Sequence, residues 1–120
     1  MIYTSYFAKL KKLPETITPI SICGKAPDWY TGLQYKVLAP KYWFFQKYKQ
    51  DGDECFYTEQ FNKEVLSLLQ VNAVVDTLRS MAGTEDIALI CYEKPSDFCH
   101  RHLVAKWLTD HGASCTEWEG

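Results

Sequence analysis

The residues of this chain best suited to chemistry follow an apolar run near its C-terminal end. Cys91 and Glu93 stand two positions apart after that run, so at the end of a strand their side chains point the same way. Cys99, His100 and Arg101 follow a Lys-Pro-Ser turn and open a predicted helix, where free backbone N–H groups and the helix dipole favour an anion. Arg101 adds a planar fork suited to phosphate or carboxylate. The pattern predicts an anion site with thiol and carboxyl groups beside it.

Three interpretations of this cluster compete. In the first, Arg101 and the helix amides hold a negatively charged, nucleotide-like ligand, and His100 lies against it. Glu93 is then a general base or hydrogen-bond acceptor. In the second, Cys91, Cys99 and His100 bind a metal, with Cys23 or His102 as a candidate further ligand. Because Cys-x7-Cys-His matches no standard zinc spacing, we assign no metal ligand from the sequence. In the third, the cysteines are buried packing groups and Glu93 pairs with Arg101.

Cys99 and Cys91 are the candidate nucleophiles. The helix start is expected to lower the pKa of the Cys99 thiol. His100 is its neighbour, but adjacent side chains on a helix point about 100° apart, which argues against a thiol–imidazole pair. Nine residues separate Cys91 from Arg101, too many for the short phosphate-binding loop of a thiol phosphatase, so we do not predict that activity.

A second group of candidate ligand contacts lies near the ends of the first two predicted strands. Ser5 and Lys25 are placed in the pocket wall, and Trp29 and Tyr35 are candidates to stack on a ring. Lysines interleave with aromatic residues from position 25 to 49, a pattern typical of nucleic-acid binding but also of a core with a solvated rim. The net charge of −2 does not favour binding dominated by phosphate contacts.

Predicted strands and helices along the chain must position these residues. Strands are predicted over Ile2–Phe7, Ile17–Cys23, Ile87–Cys91 and Cys115–Trp118, helices over residues 41–49, 59–69, 71–82 and 97–110, and a loop over residues 24–40. The third strand is apolar on both faces, as in covered parallel sheets. We therefore predict one α/β domain over residues 1–120, with a small, mostly parallel, Rossmann-like sheet flanked by helices. Its ligands should bind at the carboxyl ends of the strands.

Bulk composition narrows the class of protein. Hydrophobic residues make up 47% and aromatic residues 15% of the chain, which favours a packed core over disorder. No apolar run reaches the roughly 18 residues of a membrane span, and the N-terminal residues lack the pattern of a signal peptide. We therefore expect no membrane association and a cytoplasmic location, with the five cysteines reduced.

The chain also resembles the domain of unknown function 488 family. The resemblance rests on ICYEKPSDFCHRHLVAKWL, where the family shows a strand, Cys-x-Glu, a short turn and Cys-His-Arg. It extends to PISICGKAPDWYTGLQYKVLAPKYWFFQKYK and YTEQF, which are similar to a compact branch found on phages and other mobile elements. The resemblance implies a small Rossmann-like domain with site positions at Cys91, Glu93, Cys99, His100 and Arg101. It supplies no substrate or cofactor.

The sequence thus predicts a pocket for an anionic nucleotide, nucleoside or nucleic-acid end. Glu93, Cys91 and Cys99 are the candidate catalytic residues, and hydrolysis or transfer at a glycosidic or phosphoryl bond is the reaction class that fits them. Two alternatives stay open, a binding module for nucleic acid or a host protein and a Cys/His metal site. Oligomeric state and cofactor are left undetermined.

Overall fold

Strand β4 (Asp86–Cys91) lies at the centre of the sheet because both of its faces are apolar. In the computed structural model, which describes residues 1–120, it pairs with β1 (Ile2–Tyr6) on one side and β2 (Ile17–Ser21) on the other. Short strands β3 (Leu33–Gln34) and β5 (Cys115–Glu117) form the edges, giving the order β3-β2-β4-β1-β5. All pairs are parallel, so the predicted α/β, Rossmann-like architecture is confirmed.

Four α-helices complete the fold. They are α1 (Tyr42–Asp51), α2 (Glu54–Glu64), α3 (Val71–Ala82) and α4 (His100–Asp110), with 3₁₀ turns at Phe7–Lys12, Lys36–Leu38 and Leu66–Leu68. Ile87 and Leu89 are fully buried against the helices, whereas Ala88 and Ile90 pack on the opposite face with Phe7. Burial on both faces is what makes the β4 sequence a continuous apolar run. None of the helices combines the length and apolar character needed to span a bilayer.

Several predicted boundaries differ from the structure. The predicted loop over residues 24–40 contains β3 and a 3₁₀ turn, because two residues of edge strand are too short to show a period. Helix α2 starts at Glu54, five residues before the predicted start at residue 59, since the Asp53 carboxylate accepts the backbone N–H of Phe56 at 3.0 Å. Helix α4 starts at His100, with Cys99 as its N-cap in extended geometry, rather than at the predicted residue 97.

The parallel register brings the ends of three strands together. Ser21 lies opposite Ile90, and Tyr6 lies opposite Cys91. The backbone N–H of Ile22 still donates to the Ile90 carbonyl at 3.1 Å, so the segment leaving β2 runs beside the end of β4. This edge of a parallel sheet is where ligand sites form in α/β proteins.

A buried ion pair fastens helix α4 to the sheet. The Arg101 side chain is fully buried, and its Nε and Nη2 atoms donate to the two Glu117 carboxylate oxygens at 3.1 Å each. Its Nη1 donates to the backbone carbonyl of Glu93 at 2.6 Å, and the Thr4 hydroxyl donates to the same Glu117 carboxylate at 2.7 Å. Arg101 therefore joins α4, β5, β1 and the turn that follows β4.

Removing this guanidinium should destabilise the fold. We expect Arg101→Ala to lower the free energy of unfolding by about 3 kcal/mol, because Glu117 and the Glu93 carbonyl lose their partner. Lys106→Ala is the matched control: it breaks an exposed pair with Asp110 on the same helix and should change stability by at most about 0.5 kcal/mol. Chemical denaturation of both variants measures the difference, and equal losses would contradict it.

Candidate active site

A cavity of about 690 Å³ lies at the carboxyl ends of β2 and β4. Its walls come from the segment after β2, the end of β4, the start of α4, and helices α1 and α2. The lining residues are Cys23, Gly24, Lys25, Pro40, Tyr42, Phe45, Tyr48, Lys49, Tyr57, Cys91, Tyr92, Glu93, Phe98, Cys99 and His100. The structure thus brings together Lys25, Cys91, Glu93, Cys99 and His100, which the sequence analysis had selected from two separate stretches.

Cys91, Cys99 and His100 form a tight cluster at this cavity. Their Sγ and ring nitrogen atoms all lie within 4.8 Å of one another, and all three residues are buried. The expected divergence of Cys99 and His100 does not occur, because Cys99 is the N-cap, with φ −155° and ψ 141°, and is not helical. A helical spacing of side chains therefore does not apply to this pair. The Cys99 thiol and the His100 imidazole therefore lie close together, contrary to the prediction.

The orientation of the His100 ring is set by the backbone. Its Nε2 lies 2.8 Å from the carbonyl oxygen of Ile22, and because a carbonyl only accepts, Nε2 carries the hydrogen. In the neutral ring Nδ1 is then unprotonated, and it lies 3.6 Å from Cys91 Sγ. His100 thus turns Nδ1 toward the two thiols, where this atom accepts from a thiol when the ring is neutral and donates to a thiolate when the ring is protonated.

The two cysteines differ in their electrostatics. The pKa of Cys99 lies well below its ordinary value of 9.0. The main cause is a hydrogen bond from the Cys91 thiol, with further contributions from His100 and the backbone N–H of Arg101, and together they outweigh the opposing effect of burial. The same hydrogen bond with Cys99, together with burial, raises the pKa of Cys91 well above that value. Cys99 is therefore the thiolate of the pair and Cys91 the thiol.

Glu93 lines the cavity beside this pair. One carboxylate oxygen lies 3.8 Å from Cys91 Sγ. Burial, and next the negative charge of Cys99, raise the pKa of Glu93 above its ordinary 4.5. A carboxyl group in this setting takes up a proton more readily than an exposed one, which suits it to acid–base chemistry.

Aromatic side chains form the apolar wall of the cavity. The Tyr48 ring lies 5.1 Å from Phe98 and 5.4 Å from Tyr57 between centroids, and Tyr57 meets Phe98 edge to face at 5.1 Å. Burial raises the pKa of the Tyr57 hydroxyl. These three residues were not predicted as site residues. For Tyr48 the sequence does contain one signal: aromatic residues surround most of the α1 axis, which predicts either a core helix or the lining of a cleft.

Four predicted ligand contacts lie elsewhere. Arg101 is engaged by Glu117 and the Glu93 carbonyl, so its guanidinium faces the interior and not the cavity. Ser5 is fully buried with its hydroxyl unpaired. Trp29 is 61% exposed and packs edge-on to Phe7, and Tyr35 packs against the helix-side core. None of the four lines the cavity.

Fold and cavity together define a small, Rossmann-like α/β protein whose candidate site combines two thiols, an imidazole and a carboxyl group. Residues 5–112 match the family model described as the active DUF488-N3 subclade, DUF488-N3a. The match spans more than half of the chain, and the protein belongs to the DUF488 family, which confirms the family resemblance predicted from its motifs. No curated protein and no solved structure matches the chain.

The thiolate at Cys99 has a measurable signature. Because the folded-state pKa of Cys99 is lowered, its thiolate absorbance should persist well below pH 9.0, where an ordinary thiol is protonated, and disappear only when acid titrates it. We expect chelator-treated, reduced protein to show this ultraviolet band at neutral pH and Cys99→Ser to lack it. Cys23→Ser is the matched control, since burial raises the pKa of that cavity thiol; a band that survives in Cys99→Ser would contradict the assignment.

Proposed function

We propose that this protein is an enzyme that binds an anionic, nucleotide-like ligand in the cavity and hydrolyses or transfers it at a glycosidic or phosphoryl bond. The observation that carries the proposal is that Glu93 shares one cavity with the cluster of Cys91, Cys99 and His100. Buried acid–base and thiol groups that converge on an accessible hollow are typical of catalytic sites. The description of the matching family as an active subclade supports an enzyme over a binding module.

The cavity walls support the ligand class. Phe45, Tyr48 and Phe98 offer apolar ring surfaces, and a volume of about 690 Å³ lies within the range of small-molecule sites. Lys25 and Lys49 also line the cavity and supply positive charge for a phosphate. A planar base against the rings and a phosphate near the lysines fit this combination.

Glu93 is the group that moves the proton in the proposed reaction. In hydrolysis, its carboxylate takes a proton from a water molecule, and the water oxygen forms a bond to the electrophilic carbon or phosphorus. The bond to the leaving group breaks, the leaving group keeps the electron pair, and Glu93 returns the proton to it. In transfer, an acceptor hydroxyl takes the place of water.

We further propose a cytoplasmic protein that is carried by phages or other mobile elements. A nucleotide-like ligand occurs free in the cytoplasm and at the end of a nucleic-acid strand, and a cytoplasmic protein of a compact branch carried by phages or mobile elements meets both sources. Mononucleotides and a short single-stranded oligonucleotide, used side by side as probes, distinguish these sources.

Replacing Glu93 should separate chemistry from binding. We expect Glu93→Gln to lose turnover by about 100-fold or more, because the proton carrier is removed, while its affinity for the same probe changes little. Release of free base, of inorganic phosphate and of shorter nucleotide products from adenosine monophosphate, nicotinamide adenine dinucleotide and the oligonucleotide measures turnover and identifies the bond. Glu93→Gln should also be no less stable than wild type, since it removes a half-buried negative charge beside Cys99.

Cys115 provides the control for this experiment. Cys115→Ser alters a buried cysteine that does not line the cavity and should keep full turnover if it folds. If wild type binds a probe yet converts none of the three, the protein is a binding module and the enzymatic proposal is wrong.

The aromatic wall should contribute to affinity. We expect Tyr48→Ala to raise the dissociation constant for a bound nucleotide at least about five-fold, because stacking on a base contributes about 1–3 kcal/mol. Trp29→Ala is the matched aromatic control outside the cavity and should leave affinity unchanged. Isothermal titration calorimetry measures the dissociation constant of both variants. A larger loss of affinity in Trp29→Ala would place the ligand beside Trp29 and Phe7 rather than in the cavity.

A further inference from the structure

We infer that Cys91, Cys99 and His100 together bind a zinc ion. Two cysteines and a histidine form a donor set that suits zinc, because thiolate sulfur and imidazole nitrogen are its preferred protein ligands. All three residues are buried, and their donor atoms lie within 4.8 Å of one another. The sequence spacing matches no standard zinc pattern because the convergence comes from a strand end and a helix cap, not from a local loop.

The distances agree with such a site. Tetrahedral zinc, with Zn–S of about 2.3 Å and Zn–N of about 2.0 Å, needs its donor atoms about 3.5–3.8 Å apart. Cys91 Sγ and His100 Nδ1 are 3.6 Å apart, and the whole set lies within 4.8 Å. Shifts of about 1 Å in the donor atoms bring a set within 4.8 Å to these tetrahedral separations.

The imidazole is already oriented as a metal ligand. Histidine ligands generally donate their second ring N–H to a backbone carbonyl or carboxylate, which fixes the tautomer that leaves the other nitrogen free for metal. The contact between His100 Nε2 and the Ile22 carbonyl at 2.8 Å provides this support. It is independent of the cluster itself, because Ile22 belongs to the segment that leaves β2.

The cavity provides access and a fourth coordination position. Cys91, Cys99 and His100 all line it, as does Glu93, whose carboxylate lies 3.8 Å from Cys91 Sγ. A zinc ion with three protein ligands keeps one position for water, and zinc makes bound water a better nucleophile. The use of this water in hydrolysis rests on the proposed function, whereas zinc binding does not.

Metal content and cobalt spectroscopy test the site. Reduced wild-type protein, dialysed with zinc and then freed of excess, should retain one zinc per chain. Substitution with Co²⁺ should give the thiolate-to-cobalt charge-transfer band and the visible bands of a tetrahedral ion. We expect Cys91→Ser and Cys99→Ser each to lose the charge-transfer intensity of one thiolate and to bind at least about 100-fold more weakly.

Matched variants keep the inference falsifiable. Cys23→Ser changes another buried thiol of the same cavity and should keep zinc, and Glu93→Gln should bind it within a few-fold of wild type. Wild-type protein that retains no zinc and shows no tetrahedral cobalt spectrum overturns the inference without reference to any variant. Zinc binding without turnover contradicts only the proposed enzyme, and turnover in zinc-free protein contradicts only the use of zinc-bound water in the reaction.

Discussion

The candidate site depends on one buried charge. Arg101 is fully buried and satisfies both Glu117 carboxylate oxygens and the carbonyl of Glu93. It thereby holds the first turn of α4 against β5 and against the turn that carries Glu93. A buried guanidinium is tolerated only when it is paired and hydrogen-bonded, so the geometry of this corner is strongly constrained. The positions of Cys99 and His100, which immediately precede Arg101, follow from that constraint.

A second constraint acts from the other side of the cavity. The carbonyl of Ile22 fixes the His100 ring, and the parallel register places this segment beside the end of β4. The imidazole is therefore held between the segment after β2 and the thiol of Cys91. Backbone geometry on one side and a buried ion pair on the other hold the thiol, imidazole and carboxyl groups close together, although burial disfavours the charged forms and the negative charges of Cys99 and Glu93 repel each other. Sites that retain unfavourable proximity of this kind are commonly functional.

Most of the fold could be predicted from local patterns. Strand β4 was predictable from its continuous apolar run. Helix α3 (Val71–Ala82) was predictable from the helical spacing of its apolar residues and from Gly83, which caps it with φ +68°. Strand β3 could not be predicted, since two residues carry no period. The starts of α2 and α4 were misplaced because several residues near each start could serve as caps, and only tertiary contacts select one.

By itself the sequence determined the fold class, the strand that ends at Cys91 just before Glu93, and the approximate helix start that carries Cys99 and His100. Those features are local, because burial periods and turn residues act over a few positions. Only the tertiary structure decided that Arg101 faces Glu117 and not a ligand, that Cys99 and His100 converge, and that aromatic rings of α1 and α2 complete the cavity. The reason is physical: partners separated by many residues are chosen by packing and by the pairing of buried charges, neither of which a local pattern contains.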